Sequence, residues 1–284
     1  MISFVLRVAA AAALVLFGSP AWSQPESSGV DRLYVLDCGQ GHATDQSRWS
    51  PGVNVGVPLD IVDNCYLIHH AQGYLLWDTG ISDRVAALPG GEIGAGTALS
   101  WRKPKTLAAQ LDQIGVKPSD VRYIAVSHTH PDHVGNVDLF PTATLLIQKA
   151  EYDWAFAPKG NPTFFASGVP RFSPDHPTMK LEGDHDVFGD GSVMIISTPG
   201  HTPGHQSLLL HLPKTGWLVL SGDAVHFKEN WDHRRVPGIN FDKDQTLASM
   251  QRIADLLAEH HAELWINHDK AQSDAQRHAP DHYE

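Results

Sequence analysis

The feature that most constrains this chain is a run of metal-binding side chains placed directly after an apolar strand. The segment Val121–Ser127 (VRYIAVS) is typical of a β-strand, and the run HTHPDH follows it without a break. Residues i and i+2 of an extended segment point to the same side, so His128 and His130 can bind one ion. Asp132 and His133 lie beyond the following turn and can bind a second ion. The run therefore predicts a metal site at a strand end.

Three more potential ligands follow predicted strands in the same way. His201 lies in a Pro- and Gly-rich turn after a strand, Asp223 follows the strand Trp217–Ser221, and His268 follows the strand Glu263–Asn267. Imidazole nitrogen and carboxylate oxygen suit zinc, with iron, cobalt or manganese as substitutes. Because all these residues follow strands, we expect them to converge on one edge of the sheets.

Predicted strands and helices alternate along the chain. The other strands are Asp31–Asp37, Asn64–His69, Tyr74–Asp78, Thr144–Gln148, Ser192–Thr198 and Gln206–Leu212. The helices are Lys105–Ile114, Lys149–Phe156 and Asp242–His260. This alternation indicates an α/β layered fold. No repeat, linker or change of composition divides the chain, so we expect a single domain.

The composition excludes several classes of protein. The 284 residues are 42% hydrophobic and 19% charged, which is typical of a globular protein and not of a disordered one. The net charge of −11 argues against a nucleic-acid partner, which would require a basic face. Two cysteines are too few for a disulfide scaffold or a Cys-rich zinc module.

The N-terminal segment has the pattern of a secretory signal peptide. Residues 1–23 carry one charge, Arg7, followed by the apolar run Val8–Phe17 and small residues before a cleavage site after Ser23. The alternative is a membrane anchor, but the run is about half of the roughly 20 residues that a span needs. We therefore expect a mature domain of residues 24–284, without a membrane span, in the periplasm or outside the cell.

Export bears on the two cysteines, Cys38 and Cys65. In an oxidising compartment they can form a disulfide bond. Two separate buried thiols are equally compatible with the sequence, which does not decide between these alternatives.

The sequence resembles the metallo-β-lactamase superfamily across nearly the whole mature chain, beginning with the turn Asp78-Thr79-Gly80. Within this superfamily it is most similar to the N-acyl homoserine lactonases. The narrower resemblance rests on Pro199–Ser207 (PGHTPGHQS), Glu229–Asn240 (ENWDHRRVPGIN) and Leu264–Asp269 (LWINHD). It implies an αββα sandwich with a two-metal site at the sheet edge.

The resemblance also implies the cofactors and the reaction. Two divalent metal ions are implied, zinc in first place, and a homodimer is compatible with the family. The implied ligands are His128, His130 and His201 for one ion, Asp132, His133 and His268 for the other, and Asp223 as the bridge. A hydroxide between the ions would open the lactone ring, since two cations lower the pKa of the water that they share. Asp132 would pass a proton to the leaving oxygen.

One position departs from the family pattern. Many members carry a tyrosine three residues after the bridging aspartate, where its hydroxyl contacts the substrate carbonyl; this chain has His226. An imidazole also donates hydrogen bonds, so we expect His226 to contact the substrate. The alternative is a changed substrate.

Several residues outside the implied ligand set have two interpretations. For Asp78 we favour a structural role at the sheet end over support of a ligand. His205 either supports the site or packs the turn. Trp49 and Trp101 lie in predicted loops, and we favour plain packing over an acyl-chain groove for them.

Two alternatives to a lactonase remain. The same site would also suit a hydrolase of another ester, a phosphotriester or a β-lactam, although the resemblance makes the bridging Asp223 unusual for a β-lactamase. A metal-binding protein without catalytic activity is the third hypothesis, and the full set of ligands weighs against it.

Overall fold

Two β-sheets are packed face to face in the computed structural model, which describes residues 29–157 and 172–284. The predicted signal peptide, residues 1–23, lies outside the described residues. In chain order, the first sheet contains β1 (Val30–Ala43), β2 (Leu59–His70), β3 (Gly73–Trp77), β4 (Glu92–Ile93), β5 (Leu99–Arg102), β6 (Val121–Ala125), β7 (Thr144–Gln148) and β8 (Thr178–Leu181). Their order in space is β4-β5-β1-β2-β3-β6-β7-β8.

The first sheet is mixed. The strands from β4 to β3 pair antiparallel, whereas β3, β6, β7 and β8 pair parallel. Parallel strands point their carboxyl ends to the same edge, so the loop after β6 emerges beside the loop after β3. This arrangement brings the histidine run close to Asp78.

The second sheet has five strands in the order β13-β12-β11-β10-β9. They are β9 (His185–Asp186), β10 (Val193–Ser197), β11 (Gln206–Leu212), β12 (Gly216–Leu220) and β13 (Glu263–Trp265). Only the pairing of β12 with β13 is parallel. The loops after β10, β12 and β13 carry the remaining potential ligands.

The helices cover the outer faces of the two sheets. They are α1 (Leu107–Gln113), α2 (Lys149–Ala155), α3 (Lys228–His233), α4 (Lys243–His260) and α5 (Lys270–Ala275). Leu107 and Leu111 of α1 pack in the core on the outer side of the first sheet, and Ile253 of α4 packs against the second sheet. The layers therefore follow the αββα sandwich that the resemblance implies.

Strand β1 shows why both faces of the first sheet are apolar. Leu33 and Val35 belong to the core between the sheets, whereas Tyr34 and Leu36 belong to the core beneath the helices. Successive side chains of a strand point to opposite faces, so a central strand of a sandwich buries both sets. Of the described residues, no helix is long and apolar enough to cross a membrane.

Cys38 and Cys65 form a disulfide bond between β1 and β2, with their Cα atoms 5.7 Å apart. Both side chains are fully buried in the core beneath the helices. The structure thus selects one of the two states that the sequence left open.

The predicted elements differ from the observed ones mainly at their ends. Strand β6 stops at Ala125, two residues earlier than predicted, because Ser127 donates its backbone N–H to Asp78 and not to a neighbouring strand. Strand β1 runs on to Ala43, because its last four residues pair with β5. The short strands β4, β5, β8 and β9 have too few residues for a periodic pattern and were not predicted.

Candidate metal centre

The potential metal ligands gather at one edge of the sandwich in two adjacent groups. His128, His130, His201 and Asp223 offer ligand atoms that all lie within 4.8 Å of one another. Asp132, His133 and His268 form a second such group. These are the two sets that the resemblance implies, and the structure brings all seven residues together.

Asp223 joins the two groups through its two carboxylate oxygens. Its Oδ2 lies 3.3 Å from His201 Nε2 and 3.7 Å from His128 Nε2, both in the first group. Its Oδ1 lies 3.0 Å from His268 Nε2 and 3.4 Å from His133 Nε2, both in the second. One carboxylate that faces two ligand sets has the geometry of a bridging ligand.

The chemistry of this cluster fits divalent cations. The buried Nε2 atoms of His128 and His133 have no hydrogen-bond partner among the described residues, although both point towards Asp223. A buried polar atom without a partner costs free energy, and a coordinated cation removes that cost. Five imidazoles and two carboxylates form a donor set that suits zinc and the neighbouring transition metals.

Burial keeps the first group in the form that binds metals. It lowers the pKa of His130 to about 4 and the pKa values of His128 and His201 well below the ordinary value. These imidazoles are therefore neutral at pH 7, as a metal ligand must be. The neighbouring histidines lower these pKa values further, because two protonated imidazoles would repel each other.

The second group has the opposite electrostatics. Burial alone would lower the pKa of His268, but Asp223 and Asp132 outweigh it and raise this pKa to about 9. The same carboxylates, together with Asp78, raise the pKa of His133. The carboxylates that raise these two pKa values attract a cation of either kind, and a metal ion would replace the proton on each imidazole.

Asp78 supports the second group directly. Its Oδ2 lies 2.9 Å from His133 Nδ1, and its two oxygens also accept hydrogen bonds from the backbone N–H and the hydroxyl of Ser127. A carboxylate on the far nitrogen of an imidazole fixes the tautomer that leaves Nε2 free. The expectation that Asp78 is mainly structural was therefore incomplete, because it also orients a potential ligand.

His268 and Asp223 are positioned in similar ways. His268 Nδ1 lies 2.6 Å from the carbonyl oxygen of Val62, so its Nε2 faces the site. The backbone N–H of Asp223 donates to His205 Nε2 at 2.9 Å. Gly222 precedes it with φ +51°, and an added Cβ would lie 2.7 Å from the ring of His205. His205 therefore supports the site and does not merely pack the turn.

Glu151 is a supporting residue that the sequence did not reveal. It is fully buried in α2, and its Oε1 accepts hydrogen bonds from the backbone N–H and the hydroxyl of Thr129, between His128 and His130. Its Oε2 accepts the N–H of Gly204 in the loop of His201. Burial raises the pKa of this carboxyl group, while these hydrogen bonds oppose the shift. Nothing in the sequence of this polar helix distinguishes Glu151 from an exposed residue.

A pocket of about 490 Å³ opens beside the cluster. His226 lies in its wall, buried, with its Nε2 3.0 Å from Asp223 Oδ2. Trp49 lies beside His226, and Trp101 beside His268, with ring centroids 6.5 and 6.1 Å apart. The favoured expectation of plain packing is therefore incomplete, because both tryptophans line the pocket, and Trp101 lies in β5 and not in a loop.

The two helix-covered sheets and the joined ligand groups at their edge define a protein of the metallo-β-lactamase class. Residues 60–259 match the family model described as the metallo-beta-lactamase superfamily. The match covers more than half of the chain and includes six of the seven potential ligands.

The chain is also similar over nearly its whole length to characterised members of one branch. It is 32% identical over 267 residues to N-acyl homoserine lactonase AttM of Azorhizobium caulinodans, covering 89% of this chain and 98% of the relative. It is 30% identical over 247 residues to an N-acyl homoserine lactonase of Bacillus cereus, covering 86% of this chain and 95% of the relative. The chain therefore belongs to the N-acyl homoserine lactonase family of the metallo-β-lactamase superfamily.

A solved structure supports the same relationship. An N-acyl homoserine lactone hydrolase with the product N-hexanoyl-L-homoserine bound at its catalytic metal centre superposes with a TM-score of 0.78. The two proteins are 27% identical, and the match covers 89% of this chain and 99% of the other.

Proposed function

We propose that this protein is a dinuclear metal-dependent hydrolase that opens the lactone ring of N-acyl homoserine lactones and so quenches quorum sensing. The observation that carries the proposal is the position of Asp223, whose two oxygens face two ligand groups beside an apolar pocket. The relatives named N-acyl homoserine lactonase support the choice of substrate.

In this proposal each of the two groups described above would hold one divalent ion, and Asp223, which faces both groups, would help to hold them. Zinc is the first choice, and cobalt, manganese or iron suit the same donors. When bound, such ions would lower the pKa of water and would polarise the carbonyl group of the substrate.

The protein itself supplies positioning and proton transfer. Hydrolysis adds a hydroxyl group to the carbonyl carbon and breaks the bond to the ring oxygen, which must then gain a proton. We assign this proton transfer to Asp132, because its side chain belongs to the second ligand group and also lines the pocket. It is also partly exposed, so it can exchange the proton with solvent.

His226 takes the place of the tyrosine that many family members carry. Its ring lies at the pocket wall, with its centroid 6.5 Å from that of Trp49 and 5.0 Å from that of His201. We assign it a hydrogen bond to the substrate, donated by the imidazole. A His226→Ala variant should then lose turnover while it retains both metal ions, and His226→Tyr should restore activity. Unchanged kinetics in His226→Ala would exclude this role.

The disulfide and the N-terminal segment together support export to the periplasm or the medium. A disulfide persists in an oxidising compartment, and the segment 1–23 has the pattern of a signal peptide. Fractionation of expressing cells, combined with N-terminal sequencing of the protein, tests this proposal. A mature chain that starts at Gln24 outside the inner membrane supports it, and an intact Met1 in the cytoplasm contradicts it.

Acid release from purified residues 24–284 tests the reaction itself. Short- and long-chain acyl homoserine lactones should be opened rapidly, and chelation should abolish the activity until metal is restored. An aryl ester, a phosphotriester and a β-lactam serve as matched alternative substrates. Faster turnover of one of these than of every lactone would contradict the proposal.

A further inference from the structure

The pocket beside the proposed metal centre is lined mainly by apolar side chains but contains two arginines, Arg48 and Arg84. The two differ in their surroundings. The Arg84 side chain is 83% exposed and forms an ion pair with Asp138 at 3.1 Å. Arg48 forms no ion pair with any described residue, and its buried Nε has no hydrogen-bond partner there. A buried N–H donor without an acceptor costs free energy, and a ligand oxygen that accepts a hydrogen bond from Arg48 would remove this cost.

The backbone holds Arg48 in a fixed place. Its carbonyl oxygen accepts the N–H of Gly238 at 2.7 Å, and the neighbouring Trp49 carbonyl accepts from Asn230 at 2.7 Å. The guanidinium carbon lies 5.8 Å from the centroid of the Trp49 ring. The nearby carboxylate of Asp45 accepts backbone N–H groups of its own loop. The backbone at Arg48 is therefore anchored, and its guanidinium is oriented by the contact with the Trp49 ring.

Arg48 lines the part of the pocket wall along which the acyl chain of a lactone substrate would extend. Trp49 separates it from His226, so the guanidinium lies one aromatic ring away from the proposed metal centre. The lactone carbonyl must reach the ligand groups, which leaves the acyl chain to extend along the wall. A negatively charged chain is disfavoured, because the net charge is −11 and Asp132 and Asp223 lie in the same pocket. A neutral oxygen acceptor fits both conditions.

On this basis, and resting on the proposed lactonase function, we propose that Arg48 is a specificity-determining residue. Its guanidinium donates a hydrogen bond to a keto or hydroxyl oxygen on the acyl chain near the amide. The enzyme then binds oxygen-substituted chains better than unsubstituted chains of equal length. A hydrogen bond from a charged donor is strong enough to give the oxygen-substituted chain an affinity about tenfold higher, or more, than that of the unsubstituted chain.

Kinetics with two matched substrates test this inference. The substrates are N-decanoyl and N-(3-oxodecanoyl) homoserine lactone, and the variants are Arg48→Met, Arg48→Lys and the control Arg84→Met. The wild type should prefer the 3-oxo substrate in kcat/KM by about tenfold, mainly through KM. Arg48→Met should bring the ratio close to one, Arg48→Lys should keep part of it, and Arg84→Met should keep all of it.

Binding measurements separate this inference from the lactonase proposal. The corresponding acyl cyclopentylamides keep the acyl chain but have no lactone to open, and calorimetry gives their Kd values. If the wild type opens neither lactone, the lactonase proposal fails. The ratio of the Kd values for the decanoyl and the 3-oxodecanoyl amide still decides the role of Arg48. An equal ratio in wild type and Arg48→Met would overturn the inference. Loss of the ratio in Arg84→Met as well would also overturn it, because the effect would not be specific to Arg48.

Discussion

Two regions of the same site are built on different principles. The metal-ligand edge comprises the strand-end loops that carry the seven potential ligands, and hydrogen bonds hold Thr129, His133, Asp223 and His268 in place there. The pocket wall is formed by strands β4 and β5 together with loops, and it presents mainly apolar side chains. Its rim residues Leu88, Ile93 and Ile239 are 41–49% exposed. The comparison teaches that the buried contacts at the strand ends fix the metal-binding chemistry, whereas the apolar side chains of the pocket wall decide which substrate fits.

The largest effect should follow removal of the residue that joins the two ligand groups. We expect Asp223→Ala to lower kcat/KM by about 1,000-fold, or roughly 4 kcal/mol, because both groups lose the shared carboxylate. Metal analysis of the same sample should show less than the full metal content. Asp232→Ala, an exposed aspartate of α3, is the control. Full activity in Asp223→Ala would show that the two groups do not act as one centre.

The disulfide should affect the stability of the whole protein more than either region of the site. The paired variant Cys38→Ser with Cys65→Ser should lose about 3 kcal/mol of unfolding free energy, because the bond closes a loop with a sequence separation of 27 residues. Urea unfolding of oxidised, reduced and variant protein measures this loss. If the reduced wild type and the variant are as stable as the oxidised protein, the bond contributes nothing.

At the metal-ligand edge, the hydrogen bond by which Asp78 orients His133 should affect the affinity for metal ions. Asp78→Asn keeps the shape of the side chain but replaces an acceptor oxygen, so His133 loses the partner that orients it. We expect metal binding to weaken about 10- to 100-fold. Competition with a chromophoric chelator measures this change, and Asp138→Asn serves as an exposed control. An unchanged metal affinity would mean that the edge does not depend on its buried partners.

The pocket wall should respond differently. Trp101→Ala should raise KM for a decanoyl lactone by about tenfold, because the apolar contact with the chain is lost. The KM for a butanoyl lactone should change by less than about twofold, and metal affinity should stay the same. Trp101→Phe, which keeps an aromatic ring, is the matched control. Equal losses for both chain lengths would contradict the division between edge and wall.

The ligand edge could be predicted from the sequence because each of its ligands directly follows a strand. The run after β6 and the single residues His201, Asp223 and His268 needed only the rule that strand ends meet at one edge. The role of Glu151 could not be predicted, because it depends on the packing of α2 against the loops of His128 and His201, which the sequence does not reveal.

The pocket wall could not be predicted for a related reason. Trp49 and Trp101 are far apart in the sequence and meet the same pocket only through the pairing of β1 with β5 and the loop contacts of Gly238. The short strand β4 gave no periodic signal. The disulfide was also undecided, because two cysteine positions alone do not give the distance between their Cα atoms.

The central claim is that Asp223 makes one catalytic centre from two metal sites. A stepwise titration of the metal-free protein with zinc tests it most directly, with bound metal and lactone opening measured in the same samples. We predict that activity rises to a plateau at two equivalents of zinc per chain, and that it stays about 1,000-fold lower in Asp223→Ala titrated in the same way. A plateau at one equivalent, or two bound ions without ring opening, would contradict the claim.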